Sequence, residues 1–185
     1  MSIGNIFLIG PMGSGKTAVG RQLSRLLAMQ FYDSDAEIER ITGVDIPYIF
    51  EKEGEAGFRE RECEVIDALT QLNGIILATG GGAILSARNR ESLRSRGSVV
   101  YLRTTVAQQL DRTKHGRHRP LLLHTPDPEQ RLRDLLAIRE PLYESIATLI
   151  VNTDHRKVPT VAAEILRGLN LDHAARFDEQ ALDEH

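Results

Sequence analysis

The sequence has no tryptophan and a single cysteine, Cys63, among its 185 residues. One thiol cannot close an internal disulfide, and no histidine base stands nearby to make it a nucleophile. Cys63 therefore reads as structural, and the reducing cytoplasm as the compartment. Long apolar runs are missing as well. No stretch approaches the ~20 residues that would span a bilayer. The apolar start, MSIGNIFLIGPMGSGK, carries no basic leader and runs into glycines and a lysine instead of a cleavage site. A large charge of either sign is also absent, with 23 Lys+Arg against 26 Asp+Glu. No global field draws this chain to nucleic acid or to a membrane, so any partner has to be recognised locally.

What is present is 41% hydrophobic sequence, enough to bury a core at this length. Short β-like runs at 4–9, 30–33, 74–79, 98–102 and 148–151 alternate with helix-like segments, the pattern of βα units building a parallel sheet. Val19, Leu23, Leu26 and Leu27 fall at helical spacing over 15–28. Phe58, Val65, Ile66, Leu69 and Leu72 do so over 55–72. Ser34-Asp35-Ala36-Glu37 has the form of a capping box, which predicts a helix starting at Ser34. Residues 112–127 carry Arg112, Lys114, Arg117 and Arg119 among breakers Gly116, Pro120 and Pro126, and read as a mobile basic excursion. His115 and His118 within it lack ligand-spaced partners and read as a solvated face. A helix is expected from about 128, kinked or restarted at Pro141, and a last helix near 158–169. The chain is expected to form a single domain over 1–171, followed by an acidic, loosely held tail at 172–185.

Gly10-Pro11-Met12-Gly13-Ser14-Gly15-Lys16-Thr17 matches G-x-x-x-x-G-K-[ST] and lies between a strand and a helix, where a phosphate-binding loop belongs. Backbone N–H groups of such a loop surround a β-phosphate, and the following helix adds its positive end. Lys16 is placed to bridge the β- and γ-phosphates, and the Thr17 hydroxyl to ligate Mg²⁺. ATP is the expected nucleotide, and the absence of the guanine-selecting N-K-x-D counts against a GTPase switch. No acid ends the strands at 74–79 or 98–102, so the metal-directing carboxylate has to come from elsewhere. Asp33 and Asp35 could serve the metal and an acceptor, or simply favour a helix start. Arg59 and Glu62 share a helix face, as an ordinary ion pair or as an arginine held to clamp a carboxylate. Gly80-Gly81-Gly82 permits close approach to a ligand, or is a plain turn.

In combination with Arg119-Pro120-Leu121-Leu122 and with Arg139 before Pro141-Leu142-Tyr143, these motifs resemble those of shikimate kinases over roughly residues 5–169. The resemblance implies a P-loop three-layer α/β sandwich whose five-stranded parallel sheet, in order 2-3-1-4-5, is flanked by helices, with a lid at about 112–127. It implies transfer of the γ-phosphate of ATP to the 3-hydroxyl of shikimate, with Mg²⁺ at the phosphates; a cytoplasmic monomer is the default expectation beside it. Carried over residue by residue, Lys16, Asp35 and Arg119 would be catalytic, and Thr17 and Asp33 would hold the metal. Gly13, Ser14, Gly15, Lys16, Thr17, Ala18, Arg112, Arg119 and Arg156 would bind ATP. Asp35, Arg59, Gly80, Gly81, Gly82 and Arg139 would hold shikimate. The rival expectations are another P-loop metabolite kinase, such as a gluconate kinase, and a non-catalytic ATP-binding module.

Overall fold

Asn5–Ile9, the first apolar run, forms β1, and every one of its residues is buried. A strand without an exposed side has to be covered on both faces, which a parallel sheet between helix layers provides. The computed structural model describes residues 3–113 and 126–174. Its other strands are β2 (Gln30–Asp33), β3 (Ile75–Ala78), β4 (Gly97–Arg103) and β5 (Leu149–Asn152). They pair in the order β2-β3-β1-β4-β5, all parallel. The expected sheet and its expected order are thus observed.

Alternation along β1 divides the core in two. Phe7 and Ile9 pack with Ile38, Ile66, Tyr101 and Tyr143. Ile6 and Leu8 pack with Val19, Leu23, Val161 and Ile165. The first layer is roofed by α2 (Ser34–Thr42), α3 (Ile46–Thr70), α4 (Ala87–Arg96) and α6 (Pro128–Ile146), numbered with α5 (Val106–Thr113) between the last two. The second layer is closed by α1 (Lys16–Leu27) and α7 (Val158–Gly168).

Several local expectations need correction. Ser34 does not cap α2: Asp33 does, its Oδ1 accepting from the N–H groups of Asp35 (3.1 Å) and Ala36 (3.4 Å). The Ser34 hydroxyl accepts instead from the Gly80 N–H at 3.0 Å, tying the ends of β2 and β3 together. The helix expected from 55 begins at Ile46, where Asp45 accepts from the Tyr48 N–H at 2.9 Å, and it breaks at Gly54 (φ 70). The limb before the break is too short for a periodic signal; Ile49 in the core and Phe50 against Phe58 hold it. Helix α4 has little apolar stripe beyond Leu93, and it was not anticipated. The basic stretch begins later than expected, since Arg112 lies on α5. Pro141 sits inside a continuous α6. Burial of Leu132, Arg139, Tyr143 and Ile146 on both sides of it offsets the ~3 kcal/mol that an interior proline costs. The first tail residues, Asp172–Ala174, form a 3-10 turn.

Leu23→Ala, at a site with 0% exposure, should lower unfolding free energy by about 2–5 kcal/mol in urea titration, because the fixed sheet above it cannot collapse into the gap.

Candidate functional site

Parallel strands end on one edge, and ligand-binding loops gather there. The loop leaving β1 delivers Gly13 to Thr17, with Gly15 at φ 92 opening α1 in a conformation that a side chain would oppose. β2 delivers Asp33 and Asp35, β3 delivers Thr79 to Gly82, and α3 and α6 lean in Arg59 and Arg139. Apart from Ser14, all of these line a cavity of ≈ 530 Å³, a size suited to a small ligand beside a nucleotide phosphate chain.

On the phosphate side, the Lys16 ammonium donates to the Gly10 (2.7 Å) and Pro11 (2.8 Å) carbonyls and to the Ser14 hydroxyl (3.3 Å). The Thr17 hydroxyl donates to Asp33 Oδ2 at 2.9 Å. Two hard oxygens so placed fit a divalent cation. Among the described residues no group of three acidic, histidine or cysteine side chains surrounds a metal position. Mg²⁺ here would therefore complete its shell with phosphate oxygens and water, as that ion usually does. Arg112 borders the loop, donating to Gly13 O at 2.9 Å and to Thr153 O at 2.7 Å.

The opposite half of the cavity is a cluster of charges from which water is largely excluded. Arg59 Nη1 pairs with Glu62 Oε2 at 2.7 Å, and Glu62 is 0% exposed. Burial works against the Arg59 charge, but Glu62 and Glu55 hold its pKa above the ordinary value. Arg139 is 5% exposed, and its pKa is lowered, first by burial and further by the like charge of Arg59. Two guanidiniums thus share this half of the cavity, close enough for the Arg59 charge to be felt at Arg139. Asp35 Oδ1 and Glu62 Oε1 are buried without a hydrogen-bond partner. Both reach the Gly80 Cα, where a side-chain carbon would stand 2.8 Å from each, so only glycine admits them. Burial, then Glu62 and Asp33, push the Asp35 carboxyl up to about 7.

A family model for shikimate kinase matches residues 12–170. The chain belongs to the shikimate kinase family. A shikimate kinase of Nitrosococcus oceani is 56% identical over 165 residues, 89% of this chain and 86% of that protein. The structure titled shikimate kinase from Acinetobacter baumannii in complex with shikimate is 54% identical, with a TM-score of 0.88 over 92% of this chain and 94% of that one. A shikimate kinase structure from Aquifex aeolicus is 37% identical, with a TM-score of 0.78 over 90% and 96% of the two chains.

Of the positions singled out by family resemblance, Gly13, Gly15, Lys16, Thr17, Ala18, Asp33, Asp35, Arg59, Gly80, Gly81, Gly82, Arg112 and Arg139 meet on this cavity. Ser14 is buried under the loop with its hydroxyl toward Lys16. Arg156 is not brought onto the cavity wall. It donates to Asn152 O at 2.9 Å and pairs with Glu164 at 2.5 Å, within its own loop and α7. Arg119 lies outside the described residues, as do Lys114, His115, Arg117, His118 and nearly all of the expected lid. Sequence reasoning missed the Ser34 link to Gly80, which no local pattern announces because it joins neighbouring strands. It also missed the Tyr143 hydroxyl, although Arg139 and Tyr143 stand four apart on one helix face, a readable signal.

Asp35 binds its proton more tightly folded than unfolded (about 7 against 3.8), so the folded state loses stability as pH rises through that interval. Without nucleotide or magnesium, Asp35→Asn should melt above the native protein at alkaline pH. The gap should grow by on the order of 1–2 kcal/mol between about pH 5.5 and about pH 8.5, read by calorimetry.

Proposed function

We propose that this chain transfers the γ-phosphoryl group of ATP to the 3-hydroxyl of shikimate, giving 3-phosphoshikimate and ADP. The observation that carries this reading is the desolvated pair Arg59 and Arg139 in the same cavity as Lys16 and Asp35. A nucleotide alone leaves that pair without a purpose, whereas an acceptor carrying a carboxylate answers it with two planar forks.

Phosphoryl transfer passes through a loose transition state, so the protein mainly aligns the oxygens and supplies positive charge. Lys16 exchanges its carbonyl contacts for the β- and γ-phosphates, and the loop N–H groups hold the chain in line. Thr17 and Asp33 would hold Mg²⁺, which neutralises charge on the bridging phosphate oxygens when bound. Arg59 and Arg139 fix the acceptor by its carboxylate. That leaves the 3-hydroxyl facing the unpartnered Asp35 Oδ1, which orients it and takes its proton late, since little deprotonation is needed to reach a dissociative transition state. A carboxyl poised near neutrality suits that task. The backbone of Gly81 and Gly82 would lie beside the acceptor ring, where no side chain obstructs it, while the Gly80 N–H stays with Ser34.

In the same reading residues 1–171 act as one kinase domain, with 112–127 as a lid that excludes water and carries Arg119 to the transferring phosphate. Arg112, on the rim beside Gly13, borders the nucleotide, with Arg156 further out. The enzyme works as a cytoplasmic monomer on ATP and shikimate, its one thiol packed against the Ser86 hydroxyl at 3.2 Å.

In a coupled assay, shikimate with MgATP should release ADP while gluconate and nucleoside monophosphates do not; an inert shikimate overturns the reading. Arg59→Ala and Arg139→Ala should each raise KM for shikimate by about 10–100-fold with KM for ATP unmoved, the loss expected for hydrogen bonds to a charged group. Lys16→Ala and Arg119→Ala should lower kcat instead, by roughly 10²–10³-fold. Equal loss of ATP affinity in all four variants counts against these roles.

A further inference from the structure

Tyr143 stands one helical turn beyond Arg139 on α6 and is 1% exposed. Its ring stacks on Tyr101, with centroids 4.9 Å apart and planes 24° from parallel. A buried tyrosine of this kind has to place its hydroxyl. Here the O–H donates to the Gly81 carbonyl at 2.5 Å, the middle residue of the glycine turn after β3. Arg139 meets the same residue: its Nη1 stands 3.7 Å from where a side-chain carbon on Gly81 would lie, with the phenol oxygen as a neighbour that supports the guanidinium. One oxygen therefore serves two elements of the acceptor half of the cavity that approach from opposite directions, the turn from β3 and the guanidinium from α6.

Ser34 holds the Gly80 N–H, and the Ala83 and Leu85 N–H groups hold the Gly80 and Gly82 carbonyls, so the Gly81 carbonyl is the one that falls to Tyr143. Glycines on both sides of Gly81 give the turn no side chains of its own to pack. Arg139 also lines a second gap, with Met12, Gln109 and Leu136 among its neighbours, but that gap is only ≈ 10 Å³ and too small for a guanidinium to swing into. Arg139 is thus packed on that side, and on the other it lies against Gly81.

We propose that Tyr143 is a positioning residue: its hydroxyl sets the Gly80–Gly82 turn and the Arg139 guanidinium in register with each other, and so controls affinity for the acceptor and not for the nucleotide. The proposal rests on the shikimate reading for the identity of that acceptor. Removing the oxygen while keeping the ring leaves the Gly81 carbonyl without its donor and Arg139 without its neighbouring lone pair, and the packing against Tyr101 stays in place.

The experiment compares the native enzyme, Tyr143→Phe and Tyr101→Phe in steady-state kinetics, alongside amide hydrogen exchange of the free enzymes. Tyr101 shares the stack but directs its hydroxyl to Glu140 (3.4 Å), away from the turn. Tyr143→Phe should raise KM for shikimate about tenfold, keep KM for ATP within about twofold, and speed exchange in the segment 79–85, in line with loss of a buried hydrogen bond that orders a ligand site. Tyr101→Phe should change neither KM. The proposal is overturned if Tyr143→Phe lowers the melting temperature with both KM values unmoved, if both KM values rise together, or if Tyr101→Phe reproduces the shikimate effect. If the native enzyme does not phosphorylate shikimate, the functional reading falls. The exchange arm then still decides whether Tyr143 orders the turn, since it needs no acceptor.

Discussion

A charge placed in the acceptor half of this cavity has to be answered by another charge, because little water is left there to do so. Arg59, Glu62, Asp35 and Arg139 share that space, two guanidiniums and two carboxylates at depths where solvent screens them weakly. At an effective dielectric constant of about 20, unit charges about 4 Å apart still interact by about 4 kcal/mol. Only one contact in the set, Arg59 with Glu62, is a close ion pair. Beside it stand the Arg139 guanidinium, set against Tyr143, and two unpartnered carboxylate oxygens, Asp35 Oδ1 and Glu62 Oε1. A hydroxylated acid is the kind of molecule that balances this remainder, its carboxylate meeting the arginines and its hydroxyls meeting the oxygens.

The sheet makes the imbalance affordable to build. Each member arrives from a different element, so the cluster is stabilised by the packing of those elements and not by its own contacts. Asp35 follows β2, the glycine turn follows β3, and Arg59 and Arg139 come from two helices of the same layer. Ser34 ties β2 to the turn, and Tyr143 ties the turn to α6. On the nucleotide side the same kind of tie recurs. Asp154 accepts from the Thr104 hydroxyl at 2.6 Å and the Thr105 N–H at 3.1 Å, holding the start of α5 to the loop after β5. Arg112 then bridges that loop to Gly13. The phosphate loop and the acceptor cluster are thus anchored to one rigid edge, which is the condition for aligning two oxygens across a phosphorus atom.

β1, β3 and the middle of β4 were legible because a strand buried on both faces is an uninterrupted apolar run, while the part-exposed edge strands β2 and β5 were marked by their place between turn signals. The phosphate loop was legible because its chemistry is local: glycines, a lysine and a hydroxyl in one fixed spacing. Elements held by long-range packing were not. The limb at 46–53, helix α4 and the passage of α6 through Pro141 have no periodic stripe, or contain a breaker, and are kept helical by what they lean on. The choice of Asp33 over Ser34 as the cap of α2 has the same origin, since Ser34 was claimed by a neighbouring strand.

The sequence by itself determined the nucleotide chemistry, the parallel sheet and which arginines and acids were available, since each of these is written in local spacing. Tertiary structure alone decided that Arg59 and Arg139 share one cavity, that Asp35 and Glu62 meet at Gly80, and that Arg156 turns to Glu164. Those outcomes depend on desolvation and on distances between residues far apart in the chain, and neither quantity exists until the layers have packed.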